Sequence, residues 1–410
     1  MRTCWTALLG VFVLATGVGC TSEAPAPAEW TAVSSPAEGP SGQPRLQTGP
    51  DGRLWLSWVA ALGDDRHALR YATRRDTSWG APKTVARGAD WFVNWADLPS
   101  VRPLPGGRIA AHYLESNGPS ALAYAVRITQ SARGGDWHAP VTPHGDTPTE
   151  HGFVSLLPGP GDRLLAVWLD GRRLKGGGHG GGGDMTLRAA LLDSTGAVVR
   201  RDRLDARTCE CCATSAVRVG DEALVAYRDR SADEVRDIAL VRFDGTQWSA
   251  PTRLHDDGWR LEGCPVNGPA LAARGEQVVA AWFTAADGRP RVKAAVSTDG
   301  GHRFAEPVVV AEGPAKGRVD VVLLDDGTAV VSWLGTRGDN GAVRARAVTR
   351  DGRTGASTTI ATLPSAARRV GFPRLARQAD RLYAAWVAPD AGVGRVALRS
   401  APVSAVRPPP

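Results

Sequence analysis

The sequence predicts an all-β fold: a single β-propeller of about seven four-stranded blades, closed by its own N-terminal strand. Three observations predict it. One phrase recurs nearly end to end at a period near fifty residues. The composition, with Gly 48, Pro 29 and Trp 14 against Met 2, suits short strands and tight turns. After residue 20 no window sustains helical apolar spacing.

The phrase is a small residue or Pro, alternating apolars, a turn with Gly or Asp, then apolars ending in an aromatic. It reads PRLQTGPDGRLWLSW to Trp58, PSVRPLPGGRIAAHY to Tyr113 and VSLLPGPGDRLLAVW to Trp168. It continues as SAVRVGDEALVAY to Tyr227, PALAARGEQVVAAW to Trp282, VDVVLLDDGTAVVSW to Trp333 and PRLARQADRLYAAW to Trp386. The aromatics are 55, 55, 59, 55, 51 and 53 residues apart. Each phrase is a hairpin of an inner strand and a second strand around a tight turn. Six blades with a degenerate unit is the alternative count.

A third strand follows each hairpin, as in ALRYATR and VKAAVST. A fourth is expected to begin at an aromatic followed by a proline: Trp79 to Pro82, Trp137 to Pro140, Trp248 to Pro251 and Phe304 to Pro307. Pro is tolerated on an outermost strand with an unpaired edge. The last unit ends near Val406 with three strands, while Glu29 to Val33 precedes the first hairpin as an orphan strand. Pairing the two closes the ring and removes its open edges. At 410 residues a chain would ordinarily split into two or three domains, but repeat units bury their cores against neighbours and escape that limit.

The N-terminus carries an export signal: Arg2, an apolar run from Trp5 to Val18, then Gly19 and Cys20. The run is too short to span a bilayer. Gly17-Val18-Gly19-Cys20 resembles a bacterial lipobox, which implies cleavage before Cys20 and its lipidation; plain secretion is the alternative. Residues 1–20 are then the signal, 21–29 an Ala/Pro-rich tether, 30–406 the propeller and 407–410 a disordered tail. The expected location is the bacterial cell envelope, on the outer membrane or its periplasmic face, with membrane contact through the lipid alone.

Ser297-Thr-Asp299-Gly-Gly301-His-Arg-Phe304 resembles the Asp-box of the sialidase/neuraminidase-like, BNR-repeat propellers. Weaker echoes lie at Asp76 to Trp79 and Asp244 to Trp248. The resemblance implies a turn between third and fourth strands in which Ser297, Asp299, Gly301 and Phe304 serve structure. It also implies a chemistry of three carboxylate-clamping Arg, a Tyr nucleophile with Glu, and an Asp acid/base. The family's F/Y-R-I-P motif has no match here, and none of the five Tyr is an evident nucleophile.

Loops joining fourth to inner strands and second to third strands gather on one face, where sites of such scaffolds sit. Into blade 4 runs Asp205 to Cys212, with Cys209, Glu210 and Cys211; into blade 5 runs Asp256 to Asn267, with Trp259, Glu262 and Cys264. In an exporting compartment Cys209, Cys211, Cys212 and Cys264 are expected as disulfides, including a Cys264 bridge to the cluster or a vicinal Cys211–Cys212 pair. No cofactor is expected; the alternative is zinc or copper on these four thiols. Asp170 and Arg172, then Arg228, Asp229, Arg230 and Arg236, with Arg318 and Arg337, are the candidate ligand contacts, since Arg clusters hold anions bidentately. The same residues as mutual Arg–Asp pairs would only fix loops. Asn94, Trp95, Glu150, His151, Arg368 and Arg369 lie in the same set of loops, and the Gly-rich Lys175 to Asp184 is a floppy insertion. Asp97, Glu262 and Asp320 are candidate acid/base carboxylates.

The net charge of +7, mostly Arg, comes without a Lys run or nucleic-acid module, so no nucleic-acid partner is expected. The partners expected are a glycan, an anionic small molecule or an envelope protein, bound by a monomer. A sialidase-like exo-glycosidase and a structural or assembly lipoprotein are the competing functions.

Overall fold

The computed structural model describes residues 29–132, 135–145, 147–175, 182–366, 370–390 and 393–406. The lipobox with Cys20, most of the tether, the tail from 407, Arg368, Arg369 and most of the Gly-rich insertion lie outside them. Among the described residues no helix is long and apolar enough to cross a membrane.

Seven antiparallel sheets follow one another along the chain and form a seven-bladed propeller. Their inner strands are Ser41–Thr48, Ser100–Pro103, His151–Pro158, Ser215–Val219, Ala270–Arg274, Ala315–Leu323 and Arg374–Gln378. The repeated aromatics lie within the second strands, which run on past them, and all seven are at most 5% exposed. They anchor seven apolar clusters, each lying between two adjacent blades; Trp58, Leu54 and Leu56 of blade 1, for example, pack with Tyr383, Ala385 and Leu398 of blade 7. The seven-blade reading holds, and the six-blade alternative does not.

The N-terminal strand Thr31–Val33 pairs with Val393–Pro402, with Thr31 opposite Ser400 and Val33 opposite Leu398. Trp30 beside it is 5% exposed and belongs to the cluster between blades 6 and 7. The ring therefore closes non-covalently, through backbone pairing and one buried indole.

The fourth strands are interrupted at the proline: the aromatic pairs with the third strand, Trp79 with Arg74 and Trp248 with Phe243, and the longer runs follow the proline, at Lys83–Gly88, Thr252–Arg253 and Val308–Glu312. Pro lacks the N–H that a ladder needs, so pairing resumes only beyond it. In blade 2 the described residues show isolated bridges from Ile128 to Val141 and from Ser131 to Trp137 in place of a regular fourth strand. Blade 3 is the opposite case. Its outer strand runs Val198–Thr208, so Asp205 to Thr208 belong to that strand and the loop into blade 4 starts at Cys209.

The turn after Ser297 is held by Ser297 Oγ donating to Asp299 Oδ1 (2.8 Å) and by the Gly301 and Arg303 N–H groups donating to Ser297 Oγ and Asp299 Oδ1. Gly301 has φ +81°, and a Cβ there would lie 2.7 Å from Leu224 of blade 4, so glycine is required twice over.

Candidate functional site

The predicted loop residues converge on one face, but mostly to bind one another. Arg228 is 1% exposed and donates to three backbone carbonyls, of Asn267 (2.7 Å), Arg236 and Phe283 (2.7 Å), while its guanidinium lies 4.8 Å from the centre of the Trp259 ring. Arg236 donates to Glu210 and Glu234, both at 3.0 Å, and to the Leu261 carbonyl. Arg230 chelates Glu234 and also reaches Glu210. The Arg230 hydrogen bonds hold the Glu234 carboxyl down to about 2. Asp229 caps the Arg230 N–H, and burial raises its carboxyl. In blade 3, Arg172 grips the fully buried Asp170 through Nε (2.6 Å) and Nη2 (2.7 Å), and the Trp168 indole donates to the same carboxylate. Burial would raise Asp170, and the Arg172 hydrogen bonds outweigh it. Arg337 is exposed at the end of its strand. The blade 4 pairs tie its loops to blade 5, and the blade 3 pair fixes its own strand end, which is the loop-fixing alternative the sequence left open.

The cysteines meet where expected, with one bridge instead of two. Cys211 and Cys264 form a disulfide across 53 residues. Cys209 and Cys212 are free, buried thiols 2.7 Å apart, with Cys209 Sγ also 3.8 Å from Cys211 Sγ. No vicinal Cys211–Cys212 bond forms. The expectation that all four are disulfide-bonded is corrected to that extent: Cys211 is turned to the surface-exposed Cys264, leaving the other two inside.

The three candidate carboxylates occupy different surroundings. Glu262 is exposed beside Cys264. Asp97 is 1% exposed and accepts from the Phe153 N–H (2.9 Å) and the Tyr124 hydroxyl (3.2 Å). Burial pushes it up to about 7. Its approach depends on Gly152, where a Cβ would lie 1.8 Å from Asp97 Oδ2. Tyr124 also donates toward Glu150 (3.2 Å), so one phenol sits between two carboxylates beneath the stacked Phe92 ring. Sequence reasoning placed Tyr124 in a third strand and missed this cluster, because its members come from two blades and an intervening loop. Over the inner ends of these loops Trp95 and Phe372 stack (6.1 Å), and the buried Arg318 lies 4.6 Å from Trp95 while donating to the Gly371 carbonyl.

Asp320 points to a site that the loops do not contain. Across each inner hairpin, one residue pairs with the position just before the repeated aromatic: Arg45, Ser100, Ser155, Ser215, Ala270, Asp320 and Arg374. All seven line a single cavity of about 440 Å³ along the propeller axis. Arg102 enters it below Ser100, donating to Gln47 (3.0 Å). Arg374 lies 4.0 Å from Asp320, whose carboxylate accepts the Leu375 N–H, and burial raises Asp320. Arg45 Nε and Arg374 Nε are buried with no partner in the protein. Blades 6, 7, 1 and 2 thus form a charged arc, and blades 3 to 5 an arc of Ser and Ala. The cavity reaches exposed Thr48 and Arg274 at the face opposite the predicted loops. There Arg274 and Arg377 share Asp325. The signal for this site was the shared Pro-Arg-Leu of blades 1 and 7, at Pro44 to Leu46 and Pro373 to Leu375.

No protein-family model and no curated protein matches the sequence. Solved structures do match. A Dyadobacter fermentans protein of unknown function aligns over 93% of this chain and 99% of its own, at 13% identity and TM-score 0.51. A puromycin-hydrolyzing peptidase from Mycobacterium tuberculosis aligns over 90% of this chain and 54% of its own, at 13% identity and TM-score 0.51. The NanB sialidase from Streptococcus pneumoniae aligns over 93% and 71%, at 10% identity and TM-score 0.49. At such identities the likeness shows the fold alone and not the chemistry.

Proposed function

We propose that this chain is an exported, Cys20-anchored propeller that binds an acidic saccharide in its central channel, without cleaving it. One observation carries the reading: Arg45, Arg102 and Arg374 line one water-accessible cavity in which Asp320 is the sole carboxylate among the lining residues. A guanidinium nitrogen left without a protein partner, as at Arg45 Nε and Arg374 Nε, inside a narrow, low-dielectric channel attracts a carboxylate or sulfate more strongly than one on an open surface. The opposite arc supplies hydroxyls and small side chains, which suit the neutral part of a sugar ring. The loop arginines Arg172, Arg228, Arg230 and Arg236 support the reading less, since they already donate to protein carboxylates and carbonyls.

The test uses the full-length protein in detergent on an array of carboxylated, sulfated and neutral oligosaccharides, with a fluorogenic sialoside assayed in parallel. Retention of acidic but not neutral glycans, weakened by salt, is expected, with no turnover. Equal retention of neutral glycans, or none at all, overturns the channel reading. Sialoside turnover identifies a hydrolase instead. Labelling of wild-type protein by a fatty-acid analogue, lost in Cys20→Ala, tests the anchor.

A further inference from the structure

Buried in the turn between blades 3 and 4 is a sulfur cluster that saccharide binding does not use. Among the described residues, Cys209, Cys211 and Cys212 are the one group of three metal-ligating side chains whose donor atoms converge. We propose that Cys209 and Cys212 are the two thiolate ligands of a site for monovalent copper, lying beneath the Cys211–Cys264 disulfide.

The donor set selects the metal. Histidine and carboxylate ligands are absent from the group, so hard oxygen-seeking ions are disfavoured. Structural zinc takes four ligands, and here the disulfide withholds two of the four sulfurs. Two thiolates remain, a soft, low-coordinate pair of the type that Cu(I) accepts. The backbone holds the pair in place. The Cys209 N–H donates to the Arg228 carbonyl (3.1 Å), and the Asn267 backbone hydrogen-bonds Cys212. Cys-x-x-Cys spacing lets both sulfurs face one point, and an ion between them requires only that two side chains now 2.7 Å apart separate.

The surroundings suit the complex. Cu(I) plus two thiols gives an anionic bis-thiolate copper complex and two protons, with no electron transferred. The Arg228 and Arg236 charges act on Cys209, and both guanidiniums are buried beside the turn, which offsets the cost of burying that anion. Cys209 and Cys212 are 0% and 1% exposed, walled by Phe153, Leu187, Val225 and Tyr227, so water is excluded. Cys264 is exposed, placing the disulfide as the cover between the site and solvent.

The experiment titrates full-length protein in detergent, anaerobically and with its disulfide intact, against the chromophoric Cu(I) chelator bicinchoninate. One Cu(I) per chain should leave the chelator. Cys209→Ser and Cys212→Ser should each weaken retention at least 100-fold, whereas Cys264→Ser, which leaves both ligands in place, should retain it. Because a serine in this core risks unfolding the chain, a second measurement uses wild-type protein: Cu(I) should slow alkylation of Cys209 and Cys212 in peptide maps. The proposal is overturned if all copper stays on the chelator, if equimolar Zn(II) displaces it, or if the protein as isolated carries a Cys209–Cys212 disulfide.

Discussion

Arg45 and Arg374 stand at equivalent places on the inner strands of neighbouring blades, opposite Ser57 and Ala385, so two like charges share one wall of the channel. Burial and then the Arg374 charge bring Arg45 down to about 9, against the opposing pull of Asp320 and Asp97. The wall is electrostatically strained until an anion arrives. Arg45→Met should therefore stabilise the fold by about 1 kcal/mol while weakening acidic-ligand binding, the trade-off expected where function opposes stability. Thermal melts read it; a lower midpoint would contradict the strain.

Arg228 should behave in the reverse way. Replacing it with Ala leaves the carbonyls of Asn267, Arg236 and Phe283 without their donor in a buried pocket. A loss of about 2–4 kcal/mol follows from orphaned acceptors and lost packing. Channel binding, measured below the melting range, should stay within twofold. Selective loss of binding at unchanged stability would make Arg228 a ligand contact.

Ring closure predicts a third outcome. Trp30 fills the seam between blades 6 and 7, next to Thr31–Val33, the strand that the N-terminal side lends to the blade 7 sheet. Trp30→Ala should cost about 3–5 kcal/mol, as for other buried Trp truncations, in denaturant-unfolding midpoints. A change under about 1 kcal/mol would mean that the ring closes without it.

The repeat was legible because interblade packing demands a buried aromatic at the same point of each second strand, and that demand recurs at every blade. Closure was legible because an unpaired strand and a three-stranded last unit can satisfy only each other. The channel was not. An Arg at alternate positions of a half-buried strand reads as solvent-facing, and Arg45, Asp320 and Arg374 become a set only when the seven hairpins share a register. The loop arginines misdirected attention for a related reason: sequence shows their number but not that Glu210 and Glu234 stand close enough to occupy them. The cysteines were placed correctly, and so was a Cys264 bridge to the cluster; its partner within the cluster and the second bridge were not legible, since four thiols within reach allow several connectivities.

Stability should follow pH through buried groups shifted both ways: Asp97, Asp229 and Asp320 upward, and His112, His144 and His151 downward. Asp97 titrates near 7 when folded and near 3.8 when unfolded, so its contribution falls as pH rises between those values. Burial, helped for His112 by Arg45 and for His144 by His151, brings both histidines down to about 3 from 6.5. Their contribution is complete above pH 6.5 and is lost as pH falls. Between pH 4 and 6.5 the two sets oppose each other, a fully shifted group being worth about 1.4 kcal/mol per pH unit. Asp97→Asn removes one of the carboxyls that lower stability as pH rises, so the slope should rise by about one proton relative to wild type and the variant should exceed wild type most at pH 8. Urea titrations across this range decide it; an unchanged slope would place Asp97 outside the account.

The most direct measurement is calorimetric titration of a carboxylated and a sulfated probe, trigalacturonate and a heparin hexasaccharide, into wild type, Arg45→Met and Arg374→Met. The channel account predicts salt-sensitive binding of at least one probe to wild type, weakened tenfold or more in both variants while Arg337→Ala on the loop face matches wild type. Equal affinity in the channel variants, with loss in Arg337→Ala, would contradict it and return the site to the loops.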